Sequence, residues 1–350
     1  MTELSQTQTG QPIPRWHKWL LWINIGLVSA FFAEVVSGSD MFPYFHAWGI
    51  LVVVPLYGLH CLVLATLVFR YGRPTLPALY FAGTLFGLYE AYITKVLWNP
   101  PWNGAGALKI ADVALFETLV LVFFWHVWMS FILPLLAVES WLTNSNTILG
   151  YFPTRLRRFF SGPANWLLIA ALGGLFVSFG VKSSGDALRS GLGALTVLGL
   201  FGWTWRRLTR GKGYTLEGLL PNRGEFRFLV FLLVALYLFT GLFLRPEAYP
   251  PLTGHLTIWV LYAAMIPLLT LALRRSKSIP AELTKGRLPQ WLWLAGVLTF
   301  TLFAVLAESL LAPLNMLFGL IGWFTFAFLG VVVSLRLAWG LVKKKSLASD

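Results

Sequence analysis

A single cysteine, Cys61, stands in a chain of 350 residues, so no disulfide can form within it. Charge is also scarce. Only 12% of the residues are Asp, Glu, Lys or Arg, about half the share of an ordinary soluble domain. Acids are the rarest charged class, 14 against 27 Lys and Arg. The sequence has no zinc-ligand spacing, nucleotide-binding loop, lipidation box, low-complexity tract or visible internal repeat. Together these absences exclude a water-soluble globule and the common soluble catalytic motifs. The formal charge of +13 does not imply nucleic acid either. The basic residues come in short clusters between apolar runs, a topology pattern rather than a phosphate-tracking face.

What the chain does have is apolar. It is 57% hydrophobic with a mean hydropathy of +0.71, and it carries 17 Trp and 28 Phe. The fold class that follows is all-α, a polytopic helical membrane protein in contact with the lipid bilayer. A helix needs about 20 apolar residues to cross about 30 Å of hydrocarbon. Ten runs meet that length: 19–36, 47–69, 75–98, 110–137, 164–181, 188–205, 227–244, 255–273, 290–308 and 313–342. The fourth and tenth are longer than needed, which predicts tilt or a kink near Pro134. The Gly-rich runs 164–181 and 188–205, joined by KSSGDALR, are where a re-entrant segment would lower the count. The first run is expected to be an uncleaved span. All Lys and Arg but Lys95, Lys109, Lys182, Arg189 and Arg245 fall on one side of this arrangement. The positive-inside rule then places both termini in the cytoplasm of a multi-pass cell-membrane protein.

The expected organisation is a cytoplasmic segment 1–18, a four-helix membrane module 19–141 carrying the polar site and a cytoplasmic loop 142–162. An apolar membrane module 163–343 and a tail 344–350 follow. Cys61, mid-span, reads as a small buried residue.

Few polar residues lie inside the spans, and an intramembrane carboxylate normally faces a bundle interior or a wet cavity. With a rise of about 1.5 Å per residue, two layers emerge in the outer half of the membrane. A rim layer holds Glu34, Asp112, Glu308 and Lys95, where Glu34 and Lys95 can form an ion pair and Asp112 can sit at the N-terminus of span four. A deeper layer holds Glu90 and Glu117, about 12 and 10 Å down on consecutive spans. Two adjacent carboxylates there can share a proton or clasp a cation. Tyr89 and Tyr92 flank Glu90 as hydrogen-bond donors.

His60 lies mid-membrane near that level, so a His60–Glu90–Glu117 triplet is a conceivable divalent-metal set. No spacing motif supports it, and the cofactor stays unassigned. His126 lies about 13 Å further along span four than Glu117 and on its opposite face. One ion could not bind both. WNPPWN ends span three and can act as a turn or as a lid over the carboxylates, as can MFPYF after span one. The second half carries almost no buried acid. Tyr237, Tyr262 and Thr270 read there as isolated interhelical polar groups in a scaffold.

Three functional readings remain. One is a site binding or transporting a cation, a proton or a small basic solute, the second an intramembrane hydrolase, the third a structural or lipid-interacting scaffold. The strings YEAYITKVLWNPPW and FFWHVWMSFILPLLAVE, with FAExxSG in the first span, resemble an uncharacterised prokaryotic multispan membrane family. More distantly, they resemble the intramembrane CAAX-type proteases, whose signature has a Glu-Glu pair followed by histidine motifs. Here Tyr89 stands where one glutamate belongs, and His126 precedes Ser130. That resemblance implies that Glu90 would activate water and His126 would assist.

Overall fold

The computed structural model describes residues 12–100, 108–275 and 287–343. All ten apolar runs are helical. In chain order the helices are α1 (Arg15–Val35), α2 (Gly49–Tyr71), α3 (Leu76–Ile93) and α4 (Leu115–Leu142). The short helices α5 (Thr147–Gly150) and α6 (Thr154–Ser161) precede α7 (Pro163–Val177) and α8 (Ser184–Leu208). Then come α9 (Leu216–Leu219), α10 (Arg223–Phe243), α11 (Leu252–Arg275), α12 (Gln290–Leu310) and α13 (Asn315–Val342). Among the described residues, seven helices are long and apolar enough to cross a membrane, or eight if the bent pair α6–α7 is one span. That pair turns by 85° at Gly162–Pro163. α3 and α8 complete the ten apolar runs.

α3 explains itself by burial. Every residue from Pro77 to Leu88 is buried, so the helix faces protein on all sides and can carry Tyr80, Thr84 and Glu90 without exposing them to lipid. α2 and α4 pack on it, α1 packs on α2, and α10, α11 and α13 cover α2, α3 and α4 respectively. α12 lies against α7 and α8. The covering helices turn large apolar side chains outward, among them Phe231, Leu238, Phe324 and Phe328. In water such a surface would aggregate; against acyl chains it is the expected exterior.

Three of the four central helices are not plain α-helices, and in α1 the wide stretch is Phe31–Val35. Residues Thr118–Ile132 of α4 pair i→i+5, as do Gly49–Val53 of α2. Both stretches end two residues before a proline, Pro134 and Pro55. Proline has no N–H and its ring crowds the carbonyl four residues back, so each of these prolines removes one α-helical bond where the wide stretch ends. The Ser130 carbonyl, which Pro134 cannot serve, accepts Ser29 Oγ at 2.5 Å and Cys61 Sγ at 3.2 Å. The kink expected near Pro134 is therefore a change of helical pitch, and Cys61 is part of its compensation.

The connection between α3 and α4 departs from the expected spans. α3 ends at Ile93, not near 98, and α4 begins at Leu115, not 110. Between them Lys109–Ile110 (β1) pairs antiparallel with Val113–Ala114 (β2). Ala111 and Asp112 both have positive φ, 47° and 63°. A two-residue hairpin loop of type I′ requires that sign at both positions. Asp112 therefore sits at a hairpin tip, bonded to Thr253 Oγ1, and not at a helix N-terminus.

Candidate functional site

Glu90 stands one turn from the end of α3, and the group it holds is His126 of α4. His126 Nε2 lies 2.9 Å from Glu90 Oε2, and their side chains are 4% and 11% exposed. The expectation that His126 lies too far down, on the wrong face, is overturned for two physical reasons. The wide helix has about 4.4 residues per turn, so the nine residues from Glu117 to His126 make roughly two full turns and bring His126 back to the same face. Glycines then bring the helices together. A Cβ on Gly83 would lie 2.8 Å from Val127 Cα, and one on Gly87 would lie 2.9 Å from Val122 Cα and 3.2 Å from His126 Cβ. Gly87 leaves open the space that the base of His126 occupies. This small-xxx-small spacing in AGTLFGLYE was the sequence signal that could have found the contact.

The chemistry of the pair follows from the other ring nitrogen. His126 Nδ1 is 2.8 Å from the Leu121 carbonyl, which can only accept, so Nδ1 carries a hydrogen. The remaining proton position is Nε2. One proton between Nε2 and Glu90 gives either imidazolium with carboxylate or imidazole with carboxylic acid, and both are neutral overall.

Glu34, in the widened end of α1, lies within electrostatic reach of Glu90. Its Oε1 accepts Tyr57 OH at 2.6 Å and its Oε2 accepts Ser39 Oγ, which is joined to Ser37 Oγ at 2.7 Å. The Tyr57 ring stacks parallel on His126, with centroids 6.4 Å apart and planes 4° apart. Tyr57 thus neighbours both acid–base groups: its hydroxyl donates to Glu34 and its ring lies parallel to that of His126. Sequence reading missed it, because a tyrosine in an apolar span carries no signal of what it faces.

The expected Glu34–Lys95 ion pair is absent. Lys95 folds away and donates to Gly241 O at 2.9 Å and to Leu244 O, at the C-terminal end of α10, with its Nζ 4.6 Å from the Tyr249 ring centroid. A buried cation there meets the negative end of the helix dipole.

His60 is likewise committed elsewhere. Its Nδ1 donates to Leu56 O at 2.7 Å and its Nε2 meets Tyr237 OH, while Phe86 stacks on its ring at 4.2 Å. Both nitrogens are used, so His60 does not join Glu90 and Glu117 as a metal ligand. Among the described residues no three His, Cys, Asp or Glu side chains converge as a metal group. Glu117 is buried in the first turn of α4. Glu90 meets His126, nine residues further along α4 than Glu117, so the two glutamates do not share the matched level that the sequence suggests.

Tyr89 and Tyr92 do not donate to Glu90. Tyr89 packs against Tyr237 at 5.6 Å and Tyr262 at 5.1 Å, and Tyr92 OH bonds His255 Nδ1 at 2.7 Å. Tyr237 and Tyr262 are therefore part of an aromatic wall shared by α3, α10 and α11 rather than isolated groups. The other acids are structural in their contacts. Glu139 accepts the Thr147 and Ile148 N–H groups at 2.8 and 2.9 Å, Glu308 accepts Asn315 Nδ2 at 2.6 Å, and Asp40 bonds His46 at 2.8 Å. The WNPPWN lid lies partly outside the described residues, and the MFPYF loop is fixed by Tyr44 OH on Leu27 O at 2.7 Å.

These features define a class: a multispan helical membrane protein with a buried carboxylate–imidazole pair between two central helices. Residues 23–347 match the profile of an uncharacterized membrane protein family, and the chain belongs to that family. It is similar to an uncharacterized protein of Archaeoglobus fulgidus, 40% identical over 257 residues, which cover 72% of this chain and 77% of the relative. No solved structure matches it.

Proposed function

We propose that the Glu90–His126 pair is a proton-binding site that serves movement of a proton, a cation or a small basic solute through this membrane protein. The observation that supports it most is the 2.9 Å contact with Nδ1 already committed to Leu121. It leaves one mobile proton in a dry place where both of its positions are neutral overall, a common arrangement for proton relays in transporters. Glu34, with Ser37 and Ser39 beside it near the surface, is the second carboxylate of the site and its outward-facing side. The bias of Lys and Arg to the opposite end supports placing that opposite end, with both termini, in the cytoplasm of the cell membrane.

The test needs no known solute. Infrared spectra of the purified chain between pH 5 and pH 9 are expected to show a carboxyl band that responds to pH and is lost in Glu90→Gln, with the fold retained. No such band in the folded wild-type chain would overturn the proposal. Collapse of the fold in both Glu90→Gln and His126→Gln would assign the pair to structure alone.

A second reading has one observation in its favour. The two residues that a hydrolase resemblance singles out, Glu90 and His126, are the two that touch. Glu90 would then activate water with His126 assisting. Cleavage of a membrane-embedded substrate that persists in Glu90→Gln would sink that reading.

A further inference from the structure

The end of the bundle opposite Glu90 carries a cleft of about 810 Å³. Its walls are the last turn of α8, the turn that follows it, Asn144 after α4, and the segment leading into α12. Five cationic side chains line it: Arg206, Arg207, Arg210, Lys212 and Arg287. Among the described residues, none of the five pairs with a carboxylate.

Topogenic charges need only be basic and wet; these are placed. Arg206 Nη1 is fixed on Leu288 O at 2.7 Å. Arg287 donates to Asn144 Oδ1 at 3.1 Å, to Thr209 Oγ1 at 3.0 Å and to the carbonyls of Thr209 and Lys212, each at 3.3 Å. All of these acceptors are neutral, so they position two guanidiniums without cancelling their charge. Burial, then the neighbouring Arg206 charge, pull the Arg287 pKa down to about 10. Both remain charged at neutral pH, so like charges are held side by side in a partly buried wall. Such an arrangement is relieved by a multivalent anion, and planar guanidiniums match phosphate oxygens in pairs. Gly211, with φ +73° and open space where a Cβ would stand, keeps the turn bare at the mouth of the cleft. Trp203 is 46% exposed beside it, with Arg207 over its ring at 5.2 Å, which sets the mouth at the level of an interfacial aromatic anchor.

We propose that this cleft binds a phosphate group, carried either by an anionic lipid headgroup at the membrane surface or by a soluble phosphorylated molecule. The site is independent of the Glu90–His126 pair.

The test uses the full chain in detergent with two probes, inorganic pyrophosphate and short-chain phosphatidylglycerol, with phosphatidylcholine as the reference lipid. Saturable, salt-sensitive binding of at least one anionic probe is expected. Arg210→Gln with Lys212→Gln, both exposed, is expected to weaken it by about tenfold, the loss of one charge-assisted hydrogen bond. Arg206→Gln with Arg287→Gln should weaken it further; if that variant does not fold, the exposed pair decides. Pyrophosphate binding that is lost in the variant identifies a soluble phosphorylated ligand. Preference for phosphatidylglycerol over phosphatidylcholine, lost in the variant, identifies a headgroup. Equal binding by variant and wild type, or no binding of either anionic probe, overturns the proposal.

Discussion

His126 Nε2 meets Glu90 at 2.9 Å while its Nδ1 meets the carbonyl of Leu121, five residues back in the same helix, at 2.8 Å. The five-residue step is the imprint of the widened helix on its side chain. In an α-helix the carbonyl one turn back belongs to residue i−4, and the ring would be aimed elsewhere. The pair and the pitch of α4 are therefore one structural fact.

If the pair shares a proton, its two halves respond differently to substitution. Gln at position 90 can still donate to His126 Nε2, so Glu90→Gln should change stability by no more than about 1 kcal/mol. His126→Ala leaves a buried carboxyl without its partner and should cost about 3 kcal/mol. Thermal midpoints of the two variants in the same detergent measure the difference. Equal destabilisation would count against the pairing.

Gly87 has backbone 2.9 Å from where a Cβ would go, and backbone cannot swing aside as a side chain can. Gly87→Ala should therefore separate α3 from α4, lowering stability by about 1–3 kcal/mol. The same substitution should abolish the pH-responsive Glu90 signal. Gly241, which has nothing within 4 Å of its Cβ position, is the control. Gly241→Ala should leave the Glu90 signal unchanged.

Lys95 and Glu34 have separate partners, so their substitutions should add. Lys95→Met removes a cation from the carbonyls of Gly241 and Leu244, and Glu34→Gln disturbs Tyr57 and Ser39. A double-mutant cycle is expected to give a coupling below about 0.5 kcal/mol. Coupling of several times that size would restore the ion pair that the sequence suggests.

Pro134 lies two residues past the wide stretch that presents His126, and a role in its pitch can be tested. Pro134→Ala supplies an N–H to the Ser130 carbonyl, in competition with Ser29 and Cys61. If the proline sets the pitch, part of α4 should tighten toward 3.6 residues per turn and rotate His126 away from Glu90. Nitrogen chemical shifts of His126 read this directly. A ring still bonded to both Leu121 and Glu90 would show that the pitch does not depend on the proline.

Composition and run length determined much of this protein by themselves. Apolar stretches of about 20 residues admit one solution in a bilayer, because a backbone without water must bond to itself. The sequence likewise pointed to Glu34 and Glu90, since an acid in an apolar run is conspicuous. It could not pair them. Reading α4 with a uniform 3.6-residue period put His126 on the wrong face, and extending α3 and α4 into the hairpin region put Glu90 level with Glu117 instead of His126. Lys95 looked like a partner for Glu34 only because the two share a level. Which neighbour a buried charge meets depends on helix rotation, and that was decided by the wide pitch of α4, by two glycines in α3 and by α10, whose C-terminal end took Lys95. Those causes act between segments far apart in the chain, so only the folded protein displays them.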